Sequence, residues 1–119
     1  MKKFVRSMGH AVRGIYFAGR EQQNLRIHAV IMILVIAAGI YLGLTAIEWS
    51  IIILTIGMVI VAELINTAIE YMVDLASPQY HILAKKTKDV AAAAVLMSAI
   101  ISTLIAISIF GNKIFNLLF

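Results

Sequence analysis

Hydrophobic and polar positions divide this chain into a short amphipathic segment followed by long apolar runs. From Lys2 to about Ala18, the residues Phe4, Met8, Ala11, Val12 and Ile15 recur at helical spacing, while Lys2, Lys3, Arg6, His10 and Arg13 project on the opposite side at about 100° per residue. This predicts an amphipathic surface helix over about residues 1–20, lying in a membrane interface. Its basic face suits anionic head groups and a bound polyphosphate equally. No charge interrupts Ala29 to Ile47, and at a rise of about 1.5 Å per residue such a run crosses a hydrocarbon core of about 30 Å. A first transmembrane helix is therefore predicted over 28–47. A second, over 49–75, begins near Trp49, whose indole suits an interface, and is ended by Ser77 and Pro78. A third is predicted over 88–111, uncharged from Val90 onward, with Ala91 to Ala94 small enough to let another helix pack closely.

Composition agrees with this pattern and narrows what the chain can be. Of 119 residues, 62% are hydrophobic and 13% charged, and the mean hydropathy of +0.98 lies outside the range of soluble domains. The expectation is an all-α membrane protein of one domain, residues 1–119, without internal repeats or a linker. There is no cysteine, which removes disulfides, thiolate zinc sites and thiol nucleophiles. The net charge of +4 has no broad solvated face to sit on, so it argues for topology and anionic lipid or phosphate contacts rather than nucleic acid. A long basic stretch precedes an apolar run longer than a signal-peptide core, so the N-terminus is expected to be retained. Every Lys and Arg except Lys113 falls before Ala29 or between Lys85 and Lys88, which predicts a cytoplasmic N-terminus and an external C-terminus.

The second apolar run carries the candidate chemistry. In the stretch AELINTAIEYMVD, Asn66, Glu70 and Asp74 lie at about 300°, 340° and 20° around a helix relative to Glu63, a single stripe roughly 80° wide. Glu63 would lie roughly 21 Å in from Trp49, and Glu70 and Asp74 at the cytoplasmic surface. There they meet Arg20, Glu21 and Arg26 before the first span and Lys85, Lys86, Lys88 and Asp89 before the third. An ionisable group within a span usually faces the bundle interior or a water-filled cavity, so Glu63 reads as functional, or else as a carboxylate satisfied by a basic residue on a neighbouring helix. Carboxylates such as Glu21 and Glu70 near Lys88 suit the sparse protein ligation of Mg²⁺ whose shell nucleotide phosphates complete. The deeper Glu63 is placed to take a proton from an alcohol, with Asn66 one turn away to orient it. These features suggest phosphoryl transfer to a lipid hydroxyl, although neither a P-loop nor the protein-kinase signatures occur.

The same residues carry a resemblance. ELINTAIEYMVD, followed after SPQYH by AKKTKDVAAAAVL, closely resembles the signature of the small prokaryotic integral-membrane lipid kinases, the diacylglycerol kinase and undecaprenol kinase family, and the similarity covers essentially the whole chain. The resemblance implies a homotrimeric bundle in a bacterial cell membrane, with sites shared between subunits and ATP as the phosphoryl donor. It implies that Glu63 is the catalytic base and Asn66 an active-site partner, both touching the lipid substrate, and that Glu70 and Glu21 hold the divalent metal, Mg²⁺, of the nucleotide. It further implies that Lys88 and Asp89 attend the phosphates and that Asp74 and Tyr80 lie near the nucleotide. On the surface helix, where family members place basic residues and a tyrosine against the nucleotide, only Lys3 and Arg6 match. EQQNLRIH and DLASPQYH look more similar to the Gram-positive branch, whose acceptor is undecaprenol, than to the diacylglycerol kinases.

A small proton-coupled transporter is the alternative from a different class, with Glu63 alternating between proton and substrate. It requires polar residues deeper along the pathway, whereas the stripe stops at Glu63. His10, His28 and His81 are too scattered for a metal set and read as interfacial or hydrogen-bonded histidines. Ser98, Ser102 and Ser108 read as backbone or interhelical hydrogen-bonders, and the methionines as packing residues.

Overall fold

The computed structural model describes residues 1–119 as four helices with no strand: α1 (Lys2–Glu21), α2 (Gln23–Leu42), α3 (Ala46–Ala76) and α4 (Ile82–Leu118). The last three are long and apolar enough to cross a membrane. This is the all-α arrangement expected, an amphipathic N-terminal helix and three spans.

The helix ends fall elsewhere than the charge-free runs place them. The first span ends at Leu42, not Ile47. Gly43 takes the left-handed conformation (φ 65°), and the N–H groups of Leu44 and Gly43 return to the carbonyls of Gly39 (3.1 Å) and Ile40 (3.4 Å), closing a Schellman motif. Thr45 then caps α3 reciprocally: Glu48 N–H donates to Thr45 Oγ1 (3.3 Å) and Thr45 N–H to Glu48 Oε2 (2.7 Å). So 28–47 is corrected to 23–42 and 49–75 to 46–76, because backbone capping rather than loss of hydrophobicity terminates these helices. The third span, expected over 88–111, is the middle of a helix from Ile82 to Leu118. Its charged first turns are helical as well, started by His81, whose Nδ1 accepts the N–H of Leu83 (3.1 Å).

The break between α1 and α2 occurs at Gln22, whose backbone is extended (φ −99°, ψ 112°). Arg26 fixes it by donating from Nη1 to the carbonyls of Arg20 (2.7 Å) and Gly19 (3.4 Å). The apolar face of α1, with Phe4, Met8, Val12 and Ile15, is exposed, which suits insertion among lipid head groups.

The closest association is between α3 and α4, with α2 laid against α3. Ile52, Val59 and Val95 are buried in this interior, Ser102 Oγ bonds the carbonyl of Thr55 across it (3.2 Å), and of the alanine run only Ala91 is buried. Gly39 lets α2 approach the start of α3, since a Cβ there would sit 2.8 Å from Trp49 Cη2. At the same end Lys113 Nζ reaches Glu48 Oε2 (3.0 Å) and the carbonyl of Gly43 (3.2 Å), tying α4 to the α2–α3 turn. Only 12 of 119 residues are buried, so most apolar surface is left for lipid or other copies of the chain.

Candidate active site

At the end of the bundle opposite Lys113, helical periodicity turns one face of α3 inward. Glu63, Asn66 and Thr67 are buried, with Glu63 only 2% exposed. Thr67 Oγ1 donates to the carbonyl of Glu63 (2.9 Å), so its hydroxyl is consumed by the helix itself. The side chain of Glu63 faces α2, where His28 Nε2 lies 3.3 Å from Oε1. This contact lacks the alignment of a hydrogen bond, and both Glu63 Oε1 and Asn66 Oδ1 are buried acceptors without a hydrogen-bond partner. Buried polar atoms are nearly always paired, so unpaired acceptors on one face of α3 mark a place where donors are to arrive.

One turn further on, Glu70 is held on both oxygens: Asn66 Nδ2 donates to Oε1 and Gln22 Nε2 to Oε2, each at 3.3 Å. Next to Glu70, Tyr71 donates its hydroxyl to Glu21 Oε2. Two sequence-adjacent pairs thus clasp each other across the α1–α2 junction and α3, each offering one donor and one carboxylate: Gln22 holds Glu70 while Tyr71 holds Glu21. Carboxylates from distant parts of the chain are neighbours for this reason. No group of three or more His, Cys, Asp or Glu is placed to hold a metal, so the protein offers two carboxylates rather than a cage.

Beyond the clasp, Lys88 on α4 pairs with Asp74. Asp74, Tyr80, Lys85 and Lys88 line a shallow, largely polar pocket of about 270 Å³ under the α3–α4 loop. On the other side of Glu63, an apolar groove of about 180 Å³ runs among α2, α3 and α4, lined by His28, Met32, Val35, Ile52, Val59 and Ala106 among others. The buried carboxylate therefore lies between an apolar recess within the spans and a polar one at their ends.

The structure brings Glu21, Asn66 and Glu70 together through the clasp, with Glu63 on the same face of α3, and Asp74, Tyr80 and Lys88 around one pocket. Asp89 is turned to Lys85 (2.7 Å), because adjacent helix positions point about 100° apart. Lys3 and Arg6 are not brought to the set: along α1 they lie about 27 and 22 Å from Glu21, and neither makes a side-chain hydrogen bond or ion pair within the chain. Gln22 and Tyr71 have no place in the sequence reading, whereas the pairing of His28 with Glu63 is of the kind expected there as the alternative for Glu63, a basic residue on a neighbouring helix, with the partner now identified. Two signals were available: Gln22 and Tyr71 each adjoin a candidate carboxylate, and His28 begins the first span at the depth of Glu63.

Comparison with known proteins identifies the family. A family model described as prokaryotic diacylglycerol kinase matches residues 9–110, which contain every member of the two sets above. The chain is 43% identical to an undecaprenol kinase of Bacillus subtilis over 114 residues, 96% of this chain and 93% of that one. It is 43% identical to a diacylglycerol kinase of Synechocystis over 100 residues, 83% of this chain and 57% of that one. A Helicobacter pylori diacylglycerol kinase is 35% identical over 104 residues, 87% and 81% of the two chains. A match across nearly all of the three spans and their polar layer shows that the chain belongs to the prokaryotic diacylglycerol kinase family.

Proposed function

We propose that this protein is an ATP-dependent lipid kinase that phosphorylates a membrane alcohol, undecaprenol in preference to diacylglycerol. The observation that carries the reading is the Glu63 carboxylate, only 2% exposed and met by no hydrogen bond in the chain, on the face of α3 that it shares with Asn66 and set between an apolar groove and a polar pocket. A lipid alcohol has the matching form, a long apolar body ending in one O–H donor. With the body in the spans and the hydroxyl at Glu63, the carboxylate removes the proton, and the alcohol oxygen bonds to the γ-phosphorus as the bond from that phosphorus to the β–γ bridging oxygen breaks. ADP leaves, and the proton stays on Glu63 until water takes it.

The alcohol gives its one proton to Glu63, so Asn66, whose Nδ2 stays on Glu70, would orient the hydroxyl oxygen through a water that donates one hydrogen to it and the other to Oδ1. Glu21 and Glu70 fit Mg²⁺, which accepts few protein carboxylates when phosphates and waters complete its shell; bound with ATP, it would offset phosphate charge. Lys88 would leave Asp74 for the phosphates, with Tyr80 and Asp74 beside the nucleotide and Asp89 steadying Lys85 at the pocket rim. ATP arrives from water, so this end is assigned to the cytoplasm, in keeping with its Lys and Arg excess. Lys3 and Arg6 belong to the nucleotide site of a neighbouring subunit, since they are too far from their own; this and the large exposed apolar surface favour a homotrimer.

The preference for undecaprenol rests on similarity to the Bacillus subtilis enzyme across 96% of the chain. The transporter alternative is disfavoured because the groove beyond His28 offers hydroxyls but no further ionisable group. The test is transfer from labelled ATP with Mg²⁺ in mixed micelles, offering undecaprenol and diacylglycerol separately. Turnover on undecaprenol that falls about 10²- to 10⁴-fold in Glu63→Gln supports the reading. Turnover on diacylglycerol alone overturns the substrate, and none on either lipid overturns the activity.

A further inference from the structure

We propose that His28 is the positioning residue of the catalytic carboxylate: its Nε2–H holds Glu63 Oε1 so that the other carboxylate oxygen meets the acceptor hydroxyl. The inference rests on the assignment of Glu63 as base. Four ion pairs are present in the chain, and the other three use Lys85, Lys88 and Lys113 on Asp89, Asp74 and Glu48. The most buried carboxylate thus receives no lysine or arginine. It faces one histidine from α2, with Asn66 and Glu70 on its own helix.

That choice has a chemical reason. A lysine or arginine against Glu63 would bind the carboxylate as a permanent ion pair and make it a poorer proton acceptor. A carboxylate with no partner would be free to rotate about its side-chain bonds, and the reacting geometry would be lost for much of the time. The imidazole Nε2–H is a single directional donor on a short side chain, enough to fix orientation. The 3.3 Å separation without hydrogen-bond alignment is what a site at rest presents, since such contacts commonly tighten only when substrate is bound. His28 is also part of the groove wall, so a chain lodged there would press on the imidazole, and filling the groove and aligning the base become one event. During transfer His28 keeps its proton; the hydroxyl proton goes to the free oxygen of Glu63.

The test compares His28→Leu, which removes the donor, with His28→Gln, which restores a side-chain N–H, by steady-state kinetics in mixed micelles. Thermal denaturation of each variant is followed in parallel. The expected result is a fall in kcat of about tenfold or more for His28→Leu with the KM for ATP unchanged, and kcat within about threefold of the parent for His28→Gln. A His28→Leu enzyme within about twofold of the parent overturns the proposal, as does an equal loss in both variants. Glu63→Gln separates the two levels of inference. Wild-type turnover in that variant overturns the base assignment itself, whereas its inactivity together with an unimpaired His28→Leu enzyme overturns the role of His28 alone.

Discussion

Removing Gln22 from the clasp is a direct test of whether the carboxylates are organised in advance for a metal ion. Gln22→Leu deletes the donor to Glu70 Oε2 and leaves Asn66 Nδ2 as the one remaining hold on that side chain. The backbone break at residue 22 should survive, because the Gln22 side chain caps neither flanking helix and Arg26 fixes the bend through backbone carbonyls. The Glu70 side chain is itself untouched in the variant, so what changes is its freedom. Immobilising a glutamate side chain costs up to about 1.5–2 kcal/mol of rotamer entropy, and with Asn66 still attached about half of that falls on the incoming metal. A penalty of about 1 kcal/mol is roughly a fivefold loss of affinity. The assay is turnover against Mg²⁺ concentration at saturating lipid, with total ATP held low enough that free and nucleotide-bound metal are both controlled. The half-saturating Mg²⁺ should rise by about threefold to tenfold, with kcat recovered at high Mg²⁺. An unchanged titration, or a loss of kcat that no Mg²⁺ concentration restores, would refute the argument.

Further predictions address other parts of the molecule. Lys88→Met should raise the KM for ATP by about tenfold or more while leaving the KM for lipid within about twofold, as measured by two-substrate kinetics. Ile52→Ala, which empties a site only 2% exposed between the helices, should destabilise the fold by about 2–5 kcal/mol and lower the denaturation midpoint in micelles. Gly39→Val should cost about 1–3 kcal/mol, because its Cβ would meet the Trp49 ring and the Leu44 methyl at under 3 Å, while the catalytic end 20 Å or so away keeps its activity per folded molecule. Mixing Arg6→Ala subunits with Glu63→Gln subunits should restore activity above either alone if α1 serves a neighbour's site; failure to complement would place each site within one chain.

How far the sequence discloses this molecule depends on whether a feature repeats along one helix or joins two. The stripe of Glu63, Asn66, Glu70 and Asp74 is legible because a single period of about 3.6 residues generates it, and α3 carries all of it on one face. The helix ends are less so, although their signals are present: Gly43 followed by the T-x-x-E of Thr45 to Glu48 spells a helix stop and a new start inside what looks like a continuous apolar run. In α4 the reverse happens. Charges at Lys85 to Asp89 mark a change of solvent, yet the helix ignores it and begins at Ile82. Nothing periodic relates Gln22 to Glu70 or Tyr71 to Glu21, separated by 48 and 50 residues, so the clasp required the fold. The same is true of His28, whose partner is decided by the depth at which α2 and α3 sit side by side. Lys88 and Asp89 read as one unit in sequence, but the helix sends them to different partners.

The unequal lengths of the spans have a consequence for the bilayer around them. With 20 residues, α2 rises about 30 Å, the thickness of a hydrocarbon core and no more, whereas α3 and α4 have turns to spare. In a thicker or thinner membrane the longer helices can adjust by exposing or burying a turn, but α2 must tilt or slide. His28 travels with α2 and Glu63 with α3, so such a slide changes the register between them. Acyl-chain length in the host membrane would thereby bear on how α2 and α3 sit beside the buried carboxylate, making lipid thickness a mechanical input as well as a surrounding.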